Sequence, residues 1–459
     1  MRGFAFFLAF VGSLPFIFVS PFYGVLLWYV FSLGNFHTLI WGGPFAYLNY
    51  AYVIAILTCL SWSFSRTDKK QLPITPLVIL TLLFSIWITF TSWFALAPGN
   101  DVWTKWTGVQ KMLFMCLVGY ALTTTRERLN QLIWVVVLTI GLWGVKGALW
   151  SILHGGGEIH GPDNGMLSDN NDFGLGLILI LPLLFYQWHL ATNRHVRRGL
   201  LFMGFLVTLA VFFTYSRGAL VGVCAMGAVF WLRSRAKFTT GLLISALALS
   251  IFSFAPERWF NRMGTIETFQ QDGSAMGRLH LWQVSLRIAE LHPITGGGFR
   301  VTFWPNVTND MLRGTDLERL TKPRAAHSIY FDALSEHGWI GFSLFVMILG
   351  YSWMNCVWLI RRTRNRSDLA WANLLGRMGQ AVLVGYATAG AFASQAYLDE
   401  YWCIIFVFDA ARRLVAKQLA PAGAFGAARA AKTPVPQQAI SPAALAKPGG
   451  AMGIAKTNL

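Results

Sequence analysis

Two arginines and a histidine are the residues best suited to chemistry in this chain. Arg217 stands in Phe213-Thr214-Tyr215-Ser216-Arg217-Gly218, between two apolar runs that must turn there. An ionisable group at such a place is costly to keep and is a functional candidate. It could be a fixed cation facing an anionic substrate, or an arginine snorkelling to an interface. Arg278 and Trp282 are four residues apart in Gly277-Arg278-Leu279-His280-Leu281-Trp282, so helical spacing puts them on one face. His327 follows in Ala326-His327-Ser328-Ile329-Tyr330, just before another apolar run. An imidazole there can act as a general base near neutral pH, or simply cap the interface. Glu336 lies nine residues further on. At about 100° per residue, an unbroken helix would place it on the face opposite His327. Glu336 therefore shares a site with His327 only if that helix is interrupted, and otherwise orients structure.

Other polar residues are weaker candidates. Lys146 sits inside the apolar run Trp143-Gly144-Val145-Lys146-Gly147-Ala148 and needs a partner or a hydrated cavity; Lys105 and Lys111 are further cations near apolar sequence. Pro293-Ile294-Thr295-Gly296-Gly297-Gly298 could approach a phosphate through backbone N–H groups, or be an ordinary turn. Ser168-Asp169-Asn170-Asn171-Asp172 opens onto a helical pattern that Asp169 or Asn170 could cap. No Asp-x-Asp, His-x-x-x-His or Cys cluster occurs, so the motifs point to no metal and no cofactor.

The elements that must position these groups are membrane helices. Of the 459 residues, 55% are hydrophobic and only 12% charged, with a mean hydropathy of +0.50. A soluble domain carries about 25% charged residues. Composition thus argues against a soluble enzyme, a disordered chain or a nucleic-acid binder. The net charge of +17 comes from short basic clusters between apolar runs, as topology signals do. Apolar spans are expected at 46–64, 73–94, 107–123, 130–153, 173–190, 199–216, 217–232, 239–255, 337–360, 375–396 and 400–416. The stretch 4–34, interrupted by Pro15 and Ser20-Pro21, reads as one broken helix or a hairpin of two. The start is apolar after Arg2, lacks a small-x-small cleavage site and runs on into apolar sequence, as an uncleaved first segment does. Charge alternation favours the broken helix, for about 12 spans, and puts the basic loops in the cytoplasm. The connections 95–106, 154–172, 397–400 and the long loop 256–327 then face the other side. The five cysteines fall in apolar runs and read as buried thiols. The organisation expected is an N-terminal membrane domain at 1–190, a second membrane domain at 191–416 that includes loop 256–327, and a basic, Ala/Pro/Gly-rich tail at 417–459, disordered and cytoplasmic.

These pieces together resemble the O-antigen ligase/polymerase superfamily. The resemblance rests on Ser216-Arg217-Gly218, Gly277-Arg278 with Trp282, Pro293 with Gly296-Gly297-Gly298, and His327-Ser328 with Glu336 and Gly338, in that order across a large loop. The N-terminal half, through Pro21-Phe22-Tyr23-Gly24, Trp143-Gly144-Val145-Lys146-Gly147, Gly161-Pro162 and Asp169-Asn170-Asn171, is similar to the O-glycosylation ligases associated with exosortase A systems, as is the run from Pro256-Glu257-Arg258-Trp259 to Arg278. It departs from them at Asn35-Phe36-His37, where Asn-Pro-His is common.

The resemblance implies an all-α, GT-C-like polytopic glycosyltransferase of the bacterial inner membrane, with its active site facing the periplasm. It would move a glycan from an undecaprenyl-diphosphate carrier onto a protein, lipid or polysaccharide acceptor, without metal or cofactor. Arg217 and Arg278 would hold the lipid diphosphate and His327 would activate the acceptor. Lys146, Trp282 and Glu336 are counted with the substrate-binding set. The alternatives are a repeat-unit polymerase of the same superfamily and a lipid-linked glycan transporter or flippase. A transporter should gather its polar residues near the bilayer midplane rather than at one face.

Overall fold

The computed structural model describes residues 2–39, 48–68, 71–233, 236–239, 241–242, 245–246, 249, 257, 259–260, 273–320 and 322–420. Most of the expected span 239–255 and most of the expected tail lie outside these residues, as do Arg258 and the side chain of Ser274. The chain divides into units at 1–415 and 416–459, and every candidate site residue belongs to the first.

Among the described residues every regular element is a helix. The N-terminal set is α1 (Arg2–Ser13), α2 (Pro15–Val19), α3 (Pro21–Gly34), α4 (Tyr50–Phe64), α5 (Pro76–Trp93), α6 (Gly99–Leu122) and α7 (Arg126–Leu153). The C-terminal set is α8 (Asn170–Leu190), α9 (Arg194–Phe213), α10 (Arg217–Arg233), α11 (Gly273–Leu291), α12 (Pro305–Met311), α13 (Ile329–Thr363), α14 (Ala370–Ala389) and α15 (Asp399–Leu419). Five of them, α5, α7, α8, α9 and α13, are long and apolar enough to cross a membrane. Helix starts follow local chemistry: Thr75, Thr125, Asp169 and Asn193 each accept a backbone N–H from the first turn of α5, α7, α8 and α9. Asp169 therefore caps α8, the first of the two capping options.

Helix α8 is the hub. Leu175, Leu177, Ile178, Leu179 and Ile180 are all buried, as expected of a helix that is apolar on every side. It packs against α7, α9, α10 and α14. Small residues allow the close crossings. On α10, a Cβ on Gly218 would come 2.7 Å from Phe392 Cβ, and one on Gly222 2.7 Å from Ala389 Cβ. Four residues apart, these glycines form the small-xxx-small face through which membrane helices approach.

Three expectations change. First, 4–34 is a hairpin, not one broken helix. Phe6 and Phe10 of α1 pack edge-on against Phe31 near the far end of α3, at 5.8 and 5.5 Å between ring centroids. Ser20 is extended and caps α3, which reverses the chain at Ser20-Pro21. At 14 residues α3 reaches only about 21 Å, less than the roughly 30 Å of a hydrocarbon core. Second, 256–327 is more than a loop. Leu281, Val284 and Ile288 of α11 form a small core with Val301, Leu312 and Leu320. Third, the cysteines are all free, but Cys224 is exposed on α10 and Cys59 only half-buried.

One end of the bundle gathers the connections expected to share a side. Gln395 Nε2 donates to Met166 O at 2.8 Å, Asn35 Nδ2 to Asp163 O at 2.6 Å, and Leu96 N to Gly297 O at 2.9 Å. Toward the other end, Arg128 pairs with Asp68 at 2.6 Å, while buried Asp409 accepts from Thr75, Tyr120 and Asn355.

Candidate functional site

The site forms where α8, α10 and α13 begin. Each helix start presents backbone N–H groups that lack intrahelical partners, together with the positive end of its dipole. Arg217 is the first residue of α10. The residues beside it tie that start to the rest: Ser216 Oγ donates to Asn171 Oδ1 of α8 at 2.8 Å, and Gly218 lies against Phe392. Tyr215, at φ 55°, makes the tight turn from α9 into α10, with its hydroxyl bonded to Gly156 O at 2.6 Å.

His327 immediately precedes α13 and has φ 50°, a conformation uncommon outside glycine. Two contacts hold it there. Its N–H donates to Ser394 Oγ at 2.8 Å, and Ser394 Oγ in turn donates to Asp332 Oδ1 at 3.1 Å. One residue earlier, Ala326 O accepts Trp282 Nε1 at 3.0 Å, and the Trp282 ring stacks on Phe331 with centroids 5.2 Å apart. Trp282 thus carries α11 onto the His327 turn, and its ring also meets Phe392 beside Gly218, with centroids 6.2 Å apart.

Charges converge on the His327 imidazole. Burial is the largest influence and pushes its pKa below the ordinary 6.5; Arg278 and Arg324 push the same way, against Asp169. A neutral ring at pH 7 results. Arg324 lies over the start of α11, where a Cβ on Gly277 would come 3.0 Å from its Nη1. Arg278 and Trp282 therefore lie near His327, while the residues on either side of Arg217, Ser216 and Gly218, meet Asn171 and Phe392.

Glu336 and Lys146 stand elsewhere. Helix α13 is unbroken from Ile329 to Glu336; its interruption comes later, at Gly338 with φ 66° and ψ −170°. Glu336 accepts Arg300 N–H and Tyr397 Oη, each at 2.8 Å, and so orients neighbouring backbone. Its link to His327 runs through Asp332 one turn earlier, whose charge it feels. Lys146 is exposed on α7 with its ammonium 4.3 Å from the Trp143 ring centroid, and among the described residues no hydrogen bond or ion pair ties it to His327 or the arginines. The glycine run is a turn. The N–H groups of Gly297 and Gly298 donate to Ser335 O and Glu336 O at 2.8 and 2.9 Å. Gly296 has φ 62°, and a Cβ there would lie 2.6 Å from Gly338 N, so only glycine fits this crossing.

Several neighbours are absent from the motif reading. Ser394 and Asp332 carry no sequence signal. Arg324 stands three residues before His327 in a short basic run, and that proximity is a usable signal. Lys105 of α6 faces Asp172, Asp332, Glu336 and Asp399, a carboxylate group drawn from three helices.

Residues 202–346, which include Arg217, Arg278, His327 and Glu336, match the O-antigen ligase family. Residues 1–192 match a family of unknown function, DUF5935. No curated protein matches the chain. The ligase match covers the starts of α10 and α13 and the small subdomain around α11, and with the apolar helices it makes this a membrane protein. Over residues 202–346 the chain is similar to the O-antigen ligase family.

Proposed function

We propose that the protein is a metal-independent membrane glycosyltransferase that moves a glycan from an undecaprenyl-diphosphate carrier to an acceptor hydroxyl at the periplasmic face. The observation that carries this reading is His327, held neutral beside Arg278 and Arg324 where α8 and α13 begin. The acceptor oxygen attacks the anomeric carbon, and the bond from that carbon to the phosphate oxygen breaks. The diphosphate departs with the electron pair, and the acceptor proton passes to His327. Arg217 and Arg278 meet the developing negative charge with planar forks that pair bidentately and stay ionised. Helix starts add backbone donors on the same side. Trp282 acts through position, by fixing Ala326.

The clustering of these groups at one end of the bundle favours an enzyme over a transporter or flippase. In nanodiscs with a lipid-diphosphate glycan donor and a chelator present, the intact protein should transfer glycan, and His327→Ala should bind donor but not transfer. Normal turnover by His327→Ala, or activity that needs a divalent metal, would refute the mechanism. In a deletion strain, long chains left on carrier lipid identify a ligase, and single repeat units a polymerase.

A further inference from the structure

A cavity of about 900 Å³ lies between α3, α4 and α6. None of Arg217, Arg278 and His327 lines it. Its walls change character along the helices. It is lined by Asn49 just before α4, by Lys105 in the second turn of α6 and by Arg300, then by Lys111 half-way along α6, whose ammonium lies 4.8 Å from the ring centroid of Tyr52 in the first turn of α4; further along it is lined by Ile56, Leu60 and Met115. Ile56 and Leu60 are 43% and 46% exposed, as is expected of side chains facing hydrocarbon, so the cavity opens sideways. The polar end carries three cations against one carboxylate, Asp399, which already accepts from Ser32.

We infer that this groove binds an anionic glycerophospholipid of the surrounding bilayer, with its phosphate at Lys105, Lys111 and Arg300 and an acyl chain along α4 and α6. The polarity gradient matches such a lipid: cations at the end shared with the helix starts, apolar surface toward the membrane interior. A reacting carrier is not assigned to this groove, because Arg217, Arg278 and His327 do not line it. The lipid also gains a route to the transfer centre. Lys105 has its ammonium 5.5 Å from the Tyr397 ring centroid, Tyr397 donates to Glu336, and Lys105 faces Asp332, which accepts from the Ser394 that holds His327. A phosphate that draws on Lys105 changes the charge balance of that carboxylate group. This regulatory link rests on the proposed function; the binding itself does not.

The test is native mass spectrometry of the full chain in detergent, titrated with phosphatidylglycerol and, separately, with phosphatidylcholine. Phosphatidylglycerol should be retained preferentially. Lys105→Met and Arg300→Met should each weaken retention about fivefold, as expected from roughly 1 kcal/mol per basic residue at an anionic surface. Arg278→Gln should leave it unchanged. Gly108 lines the groove and has open space around its Cα, so Gly108→Trp should block the lipid in a chain that still folds. Equal retention of both lipids, undiminished retention in Gly108→Trp, or displacement by a polyprenyl diphosphate would each overturn the assignment. Transfer stimulated by phosphatidylglycerol in the intact protein but not in Gly108→Trp would establish the link, while transfer indifferent to that lipid would refute the link and leave the binding result standing.

Discussion

The backbone N–H of His327 is bound to the hydroxyl of Ser394, 67 residues away, at 2.8 Å. That single bond connects the turn before α13 with the turn before α15. It helps to hold His327 at a positive φ that the residue would otherwise leave. Ser394→Ala should orphan the partly buried N–H and cost about 1–3 kcal/mol of stability. It should lower kcat more than it raises KM, and Ser394→Thr, which keeps the hydroxyl, should restore most of both. Equal kinetics for Ser394→Ala and the parent would remove Ser394 from the site.

The acid limb of transfer should lie below pH 6.5, because the folded pKa of His327 is depressed. The neutral ring is the base, so activity is present above that lowered pKa and is lost as pH falls through it. Arg324→Gln removes a repelling cation and should move the limb to higher pH. Asp169→Asn removes an attracting anion and should move it lower. Histidine NMR titration alongside the pH–rate profile checks both signs.

Replacing Arg217 or Arg278 by Ala should cost about 10²–10³ in rate, the usual loss on removing one donor to a developing oxyanion. Lysine should rescue only in part, since a point charge lacks the bidentate fork. The double variant should fall well short of the product of the singles if the two act as a unit. Single-turnover transfer measures all five variants.

Gly296→Ala tests the backbone crossing. The left-handed conformation alone costs an alanine about 1 kcal/mol, and overpacking against Gly338 adds about 1–3 kcal/mol. Gly155 has φ 64° and open space around it, so Gly155→Ala should show only the first cost. Thermal unfolding in nanodiscs separates them.

Cysteines placed at Ser168 and Gly314 should both react with an impermeant thiol reagent in intact cells, and one at Arg198 should not. All three positions are exposed. Labelling at Arg198 with protection at the other two would invert the proposed orientation.

Apolar runs are legible from composition, so the run expected at 130–153 lies within Arg126–Leu153, and the one at 173–190 within Asn170–Leu190. The arginines and His327 stand out because ionisable groups next to apolar runs are rare. The hairpin at 4–34 is not legible, because Pro15 and Ser20-Pro21 suit a bend and a reversal equally. Phe6 against Phe31 decides it, and that contact is tertiary. Ser394 and Lys105 are equally hidden. A serine in a loop and a lysine near a helix start are ordinary until the fold sets them beside Asp332. Gly296-Gly297-Gly298 can be read two ways because a phosphate and a helix carbonyl accept the same N–H groups.

The clamp between Gly296 and Gly338 also determines where this chain can be lengthened. Trp339 N–H donates to Pro293 O at 2.9 Å, so the two strands of backbone are stitched on both sides of the crossing. An insertion anywhere in 293–300 would slip that register and drag α13 with it. The turn at 313–316 has no such tether to α13: Arg313, Gly314 and Asp316 are exposed, and nothing stands within 4 Å of a Cβ on Gly314. Natural length variation in this subdomain should therefore concentrate there, and an epitope tag inserted after Gly314 should leave the helix starts around His327 undisturbed.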